Sequence, residues 1–215
     1  MNLRIAATPT YTSVWDQLRE AVYNRSAAVV KALEQRFVAT PGLFLWYGRR
    51  FYSEMLGREL DMLQLRPGAR VLHIGAGALP FTAYYLAERG YHVDAIDHDA
   101  RTLAPARRLL QILGVADRVH VAQLDGLSVD AGGYDAVWIS LHVSDKELIL
   151  ERLLEQVRPG GWVVYREPRD WLERYYHTTP YPAHWAERAR RTGCTQPMGK
   201  QSFALYIGAQ ERPTA

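Results

Sequence analysis

Arg70-Val-Leu-His-Ile-Gly-Ala-Gly-Ala-Leu-Pro80 decides the fold. Arg70 to Ile74 is a short apolar run that reads as a buried strand, and it passes without a break into Gly75-Ala76-Gly77-Ala-Leu79-Pro80. Glycine serves two needs there. It permits a sharp turn at the strand end, and it lets backbone N–H groups approach a ligand with no Cβ in the way. A helix over 81–89 follows and points its N-terminus back at the turn. A Gly-x-Gly alone is a common turn element, so the stretches on either side carry the argument.

Towards the C-terminus, strands and helices alternate. A second strand over 91–96 ends at Asp97, about twenty residues past the glycines, where a carboxylate accepts hydrogen bonds from ribose hydroxyls. A third strand over 118–123 ends near Asp125, and a fourth over 134–139 runs into Ser140-Leu141-His142. A helix over 145–157 leads through Arg158-Pro-Gly-Gly161 into a fifth strand ending at Tyr165-Arg166. Such alternation predicts a doubly wound, mostly parallel, Rossmann-like α/β sheet. Towards the N-terminus the period is helical. Ser13 with Asp16 resembles a capping box before Val14, Leu18 and Val22. A second helix spans 26–38 and stops at Thr40-Pro41-Gly42. A third, over 43–63, is dense in aromatics. The chain therefore divides into a helical extension or lid over 1–64 and an α/β domain over 65–215.

Composition narrows the function. Charged residues are 23% of the chain and the net charge is +3, with both signs interspersed, so no basic track for nucleic acid is expected. The single cysteine, Cys194, excludes an intrachain disulfide and fits a reducing compartment. No run is apolar enough to cross a membrane, and Arg4 is not followed by the apolar stretch of a signal peptide, so a cytoplasmic enzyme is expected. The group His92, Asp94, Asp97, His98 and Asp99 superficially invites a metal, but Asp97 is committed to the ribose and no metal site is expected.

The ordered motifs Leu65-Arg-Pro-Gly-Ala-Arg-Val-Leu-His-Ile-Gly-Ala-Gly77, Asp97, Asp125 and Val157-Arg-Pro-Gly-Gly-Trp-Val-Val164 resemble those of class I S-adenosylmethionine-dependent methyltransferases over residues 65–207. Two departures stand out: His73 occupies a usually acidic position, and Leu79-Pro80 replaces a third glycine. Gly75-Ala-Gly-Ala-Leu-Pro-Phe-Thr82 is more closely similar to the loop of nicotianamine synthases and opine-metallophore synthases. Trp46-Tyr-Gly-Arg-Arg-Phe-Tyr52, Tyr165-Arg166, Arg191-Thr-Gly193 and Pro197-x-Gly199-Lys200 also resemble that family. A nicotinamide dehydrogenase fits less well, lacking G-x-G-x-x-G.

The resemblance implies S-adenosylmethionine as co-substrate, held by Gly75, Ala76, Gly77, Leu79 and Pro80, by Asp97 with His98, by Asp125 with Gly126, and by Ser140. It implies aminobutyrate transfer to a small amine or amino acid, in metallophore biosynthesis. Tyr52 and Glu54 are the candidates for contact with the reacting amine. Tyr47, His142 and Arg166 are the candidates for holding the acceptor. The family's N-terminal substrate glutamate has three candidates here, Glu20, Glu34 and Glu54. Conventional methyl transfer and cofactor binding without catalysis are the competing readings. Acceptor identity, the number of transfers and oligomeric state, a homodimer included, stay open.

Overall fold

The computed structural model describes residues 40–174, 176, 178–197 and 199–208. The helices expected over 13–22 and 26–38, with Glu20 and Glu34, lie outside the described residues.

A seven-stranded sheet runs β3-β2-β1-β4-β5-β7-β6. Its strands are β1 (Arg70–Ile74), β2 (His92–Asp97), β3 (Val119–Gln123), β4 (Ala136–Ile139), β5 (Trp162–Pro168), β6 (Ala189–Gln196) and β7 (Lys200–Ile207). The first five are mutually parallel. β7 turns antiparallel against β5, and β6 pairs antiparallel with β7. The strand order reverses direction beside β1, and in open α/β sheets ligands lie beyond the carboxyl ends of strands at such a point.

Alternation along the strands builds two cores. Val71, Trp138, Val164 and Ala204 face one side, with α3 (Phe81–Glu88) and α4 (Ala100–Ile112) packed over them. Leu72, Val137, Val163 and Leu205 face the other, covered by α5 (Lys146–Gln156) and Trp185. Both faces are apolar because both are covered.

The aromatic segment before β1 is one continuous helical stretch with a defect. α1 (Pro41–Tyr47) passes into a π-helical turn, Gly48–Tyr52, and then α2 (Ser53–Asp61). The helix begins at Pro41, two residues before the expected start, because proline at the first helical position sacrifices no hydrogen bond. The π turn was not expected. It accompanies a close approach: a Cβ on Gly48 would lie 2.6 Å from the Tyr85 hydroxyl and 3.1 Å from the Phe81 ring, so only glycine lets this helix pack so tightly on α3. Beyond the turn, Met55, Leu56 and Glu59 are all buried on one face. The β6–β7 hairpin also carried no strand assignment from sequence. Among the described residues no helix is long and apolar enough to cross a membrane.

Candidate active site

A cavity of about 1070 Å³ opens at the carboxyl ends of β1, β2 and β4. The glycine turn forms its floor. Gly75 has φ 78° and Gly77 φ 65°, left-handed backbone that residues with a Cβ rarely adopt. At Gly75 a Cβ would also sit 2.5 Å from Val143, whereas at Gly77 it would meet only the Leu79 backbone nitrogen, at 4.0 Å. The first glycine is thus required by the protein's own packing. The second leaves open backbone facing the cavity.

Asp97, at the end of β2, is buried and ties this turn in place. Its Oδ2 accepts from the Gly77 N–H at 2.8 Å, and its Oδ1 accepts from the Asp99 N–H at 2.9 Å. A carboxylate has about four acceptor positions, so two remain for a polar ligand. His98, exposed, stands 3.6 Å from Asp97 Oδ1. Asp125 caps the short 3₁₀ turn 126–128 by accepting from the Leu127 N–H at 2.8 Å. Gly126 follows it, and a Cβ there would lie 2.9 Å from both Ile149 and Ile74.

His73, in the position where an acidic residue is usual, is a buried neutral imidazole. Burial, with the Arg166 charge acting the same way, pushes it down to about 3. Its Nε2 and the Ser140 hydroxyl share a 2.9 Å hydrogen bond joining the ends of β1 and β4.

The other end of the cavity is aromatic and basic. The Tyr52 ring stacks on Phe81 with centroids 4.4 Å apart and planes 18° apart, and Tyr47 tilts against the same ring at 5.7 Å. Burial raises the Tyr52 phenol above its usual 10, with Arg166 opposing and Tyr47 and Glu59 reinforcing, so the hydroxyl stays protonated at neutral pH. His142 lies on the rim, its ring edge-on to Tyr176 at 5.2 Å. Surrounding protein, then the Lys200 and Lys146 charges, push that imidazole down to about 4.

Arg166, a candidate for holding the acceptor, is already engaged within the protein. Its guanidinium already grips Glu59, Nε to Oε1 at 2.7 Å and Nη2 to Oε2 at 2.8 Å, and donates to Thr82 Oγ1 at 2.8 Å. Glu59 also accepts from Trp138 Nε1 at 2.9 Å and from Ser202 Oγ at 2.6 Å. All four acceptor positions of this buried carboxylate are filled, which is what makes a buried charge tolerable. Arg166 still lines the cavity, with two N–H groups to spare.

Most of the expected site residues do converge on this cavity, Tyr47, Tyr52, Asp97, Ser140 and His142 among them. Two do not. Pro80 starts α3 instead, its carbonyl accepting from the Tyr84 N–H at 2.8 Å. Glu54 is exposed on α2 and paired with Arg58 at 2.7 Å, outside the cavity lining. Glu59 and Lys200 were missed. Glu59 had a legible signal: Tyr52, Met55, Leu56 and Glu59 recur at helical spacing, putting a carboxylate on the apolar stripe. Lys200 had none beyond its place after Gly199. Among the described residues no cluster suited to a metal ion is found, and Asp94 instead bonds Arg70 and Tyr134.

Residues 71–161 match the family model of a methyltransferase domain. The chain is 32% identical over 117 residues to L-histidine 2-aminobutanoyltransferase of Yersinia pestis, covering 54% of this chain and 43% of that protein. It is 29% identical over 161 residues to the same-named protein of Pseudomonas aeruginosa, covering 74% and 60%. It is 34% identical over 124 residues to protein-L-isoaspartate O-methyltransferase of Methylorubrum populi, covering 54% and 58%. The matched region thus spans about half the length of these relatives. Among solved structures, a mutant of the nicotianamine synthase MtNAS in complex with S-adenosylmethionine superposes with a TM-score of 0.75 at 21% identity, over 90% of this chain and 77% of that one. That likeness shows the fold: a class I methyltransferase-type sheet.

Proposed function

We propose that this chain is a cytoplasmic S-adenosylmethionine-dependent transferase that moves an aminobutyrate group onto a small amine or amino acid, as in the making of a metal-chelating product. One observation carries the reading: Tyr52 stacks on Phe81, the residue that follows the Leu79-Pro80 turn, so an aromatic helix closes the cavity over the altered glycine loop. The matches to two aminobutanoyltransferases support it.

The residues present fit the co-substrate. Open backbone at Gly77 and the unfilled positions of Asp97 suit its methionine and ribose parts, with Asp125 and Gly126 on the adenine side. When bound, S-adenosylmethionine supplies an electrophilic carbon on its sulfonium: attack at the γ-carbon forms an N–C bond and releases methylthioadenosine, and attack at the methyl releases S-adenosylhomocysteine.

The chain's own residues choose between these by position, since a nucleophile must lie roughly 3–3.5 Å from one carbon and in line. Leu79 and Pro80 turn the loop, Tyr47 and Phe81 exclude water, and the Tyr52 hydroxyl orients the incoming amine. Glu59 neutralises Arg166 and so sets the field at that amine. In this reading the described residues up to 64 belong to the helical extension and those from 65 onward to the co-substrate domain.

Methyl transfer is the second reading, favoured by the methyltransferase-domain match and the isoaspartate methyltransferase relative. Mass spectrometry after incubation with S-adenosylmethionine and a panel of amino acids and amines separates them. Methylthioadenosine with an acceptor heavier by one aminobutyrate supports the proposal. S-adenosylhomocysteine with a methylated acceptor overturns it.

A further inference from the structure

An amine attacks carbon only as the free base, yet near neutrality it arrives as an ammonium ion, so some group must take its proton. Among the described residues the carboxylates near Tyr52 are not free to do so. Glu54 lies outside the cavity, and Glu59 has all four acceptor positions filled. The Tyr52 phenol is already protonated, and His142, pushed down to about 4, holds a proton poorly.

Lys200 is placed differently. It opens β7 directly after Gly199, whose backbone is left-handed at φ 66° and whose Cβ position would lie 2.9 Å from the Trp171 indole nitrogen. This tight turn delivers Lys200 to the cavity wall, its Nζ 5.8 Å from the centre of the Tyr52 ring. Among the described residues its amine has no ion pair and no hydrogen bond. Lys146 shows the contrast: it is fixed by the Leu141 and Arg166 carbonyls and by Glu167. The titratable and charged groups around Lys200 are Tyr52 on the π turn, Glu59 on α2, Arg166 on β5 and His142 after β4. Arg166 and Glu59 offset each other as a pair, so among the described residues no carboxylate is left to pair with Lys200, and the face of the Tyr52 ring is what favours its charged form.

From this placement we infer that Lys200 is the general base of the acceptor end: its neutral amine takes one proton from the acceptor's ammonium ion, becoming a lysine ammonium and leaving a neutral amine beside Tyr52. The inference rests on the amine-acceptor reading above. The electrostatics agree, since burial and then the Arg166 charge push Lys200 down to about 8, with Glu59 opposing. A base is most effective when matched to the working pH, and lysine is readily tuned this way.

The chain has three lysines, Lys31, Lys146 and Lys200, so protein carrying ¹³C at lysine Cε gives at most three side-chain resonances, and Lys200→Arg assigns one. The expected result is a Lys200 titration midpoint near pH 8; a midpoint above 10 would overturn the inference. In parallel, Lys200→Arg and Lys200→Met should each lose roughly 10²–10⁴-fold in kcat/KM. The acid limb of their pH profiles should shift to that of the acceptor's own ammonium, while S-adenosylmethionine affinity stays within about twofold of wild type. An arginine variant that keeps wild-type activity and profile would make Lys200 a mere cation and end the proposal. The wild-type by-product decides the transfer reading separately, because an ammonium must lose its proton before attacking either carbon.

Discussion

Arg166 on β5 holds Glu59 on α2 through two parallel hydrogen bonds of 2.7 and 2.8 Å, across 107 residues of sequence and inside the core. That pair clamps the helical segment to the sheet. Glu59→Gln keeps the shape but leaves a buried guanidinium without its counter-charge, which costs about 3–5 kcal/mol. The urea midpoint should fall accordingly with an unchanged slope. A shift below about 1 kcal/mol would mean the pair is not buried in solution.

Asp97→Ala removes both an acceptor from the ligand side and the bond that holds the Gly77 turn. S-adenosylmethionine affinity, by isothermal titration, should weaken at least about tenfold, with Asp97→Asn intermediate because one acceptor survives. NAD should not bind either form. Wild-type affinity in the alanine variant would remove Asp97 from the ligand site.

Gly75→Ala forces a side chain onto left-handed backbone, about 1–2 kcal/mol before the 2.5 Å collision with Val143 is counted. Gly77→Ala pays the same backbone cost but meets no wall. The first variant should lose both thermal stability and S-adenosylmethionine binding. The second should lose binding chiefly, read by calorimetry on a still-folded protein.

Tyr52→Phe keeps the ring stacked on Phe81 and deletes only the hydroxyl. If that hydroxyl orients a charged or reacting amine, turnover should fall roughly 10- to 150-fold, the equivalent of about 1.5–3 kcal/mol. Co-substrate affinity should hardly change. Unchanged turnover would reduce Tyr52 to packing.

His73 predicts an acid-side instability. Its folded value is about 3 against 6.5 when unfolded, so between those values the unfolded chain binds the extra proton. The His73 contribution is therefore full above about pH 6.5 and declines as pH falls towards 3, by at most about 1.4 kcal/mol per pH unit. Chemical denaturation at pH 7 and 5 measures the slope, and His73→Gln should flatten it. An equal slope in the variant would assign the effect to other groups.

The strands around the glycine turn were legible because each is a short apolar run ended by a polar or glycine residue: Ile74 before Gly75, Ile96 before Asp97, Ile139 before Ser140. The β6–β7 hairpin was not, since Ala189–Gln196 is mostly polar and exposed and carries no period of its own. Asp97 could be placed from its distance to the glycines. The place of Glu59 on an apolar stripe was legible too, but not that Arg166 is its partner, because that depends on which helix face meets β5. Lys200 was illegible for a different reason: its chemistry comes from burial and from Arg166, neither of which is local in sequence.

The π turn at 48–52 has a consequence for comparing this chain with its relatives. A π turn accommodates about one residue more than an α-turn, so it acts as a stored insertion inside an otherwise regular helix. Residues before Gly48 and after Tyr52 therefore follow two different counts, about 100° apart around the axis. A gap-free alignment through this segment, with a relative that lacks the turn, would match Tyr47 correctly and Tyr52 wrongly, or the reverse. Deleting one residue between 48 and 52 would make the helix regular and rotate either Tyr47 or Glu59 out of place.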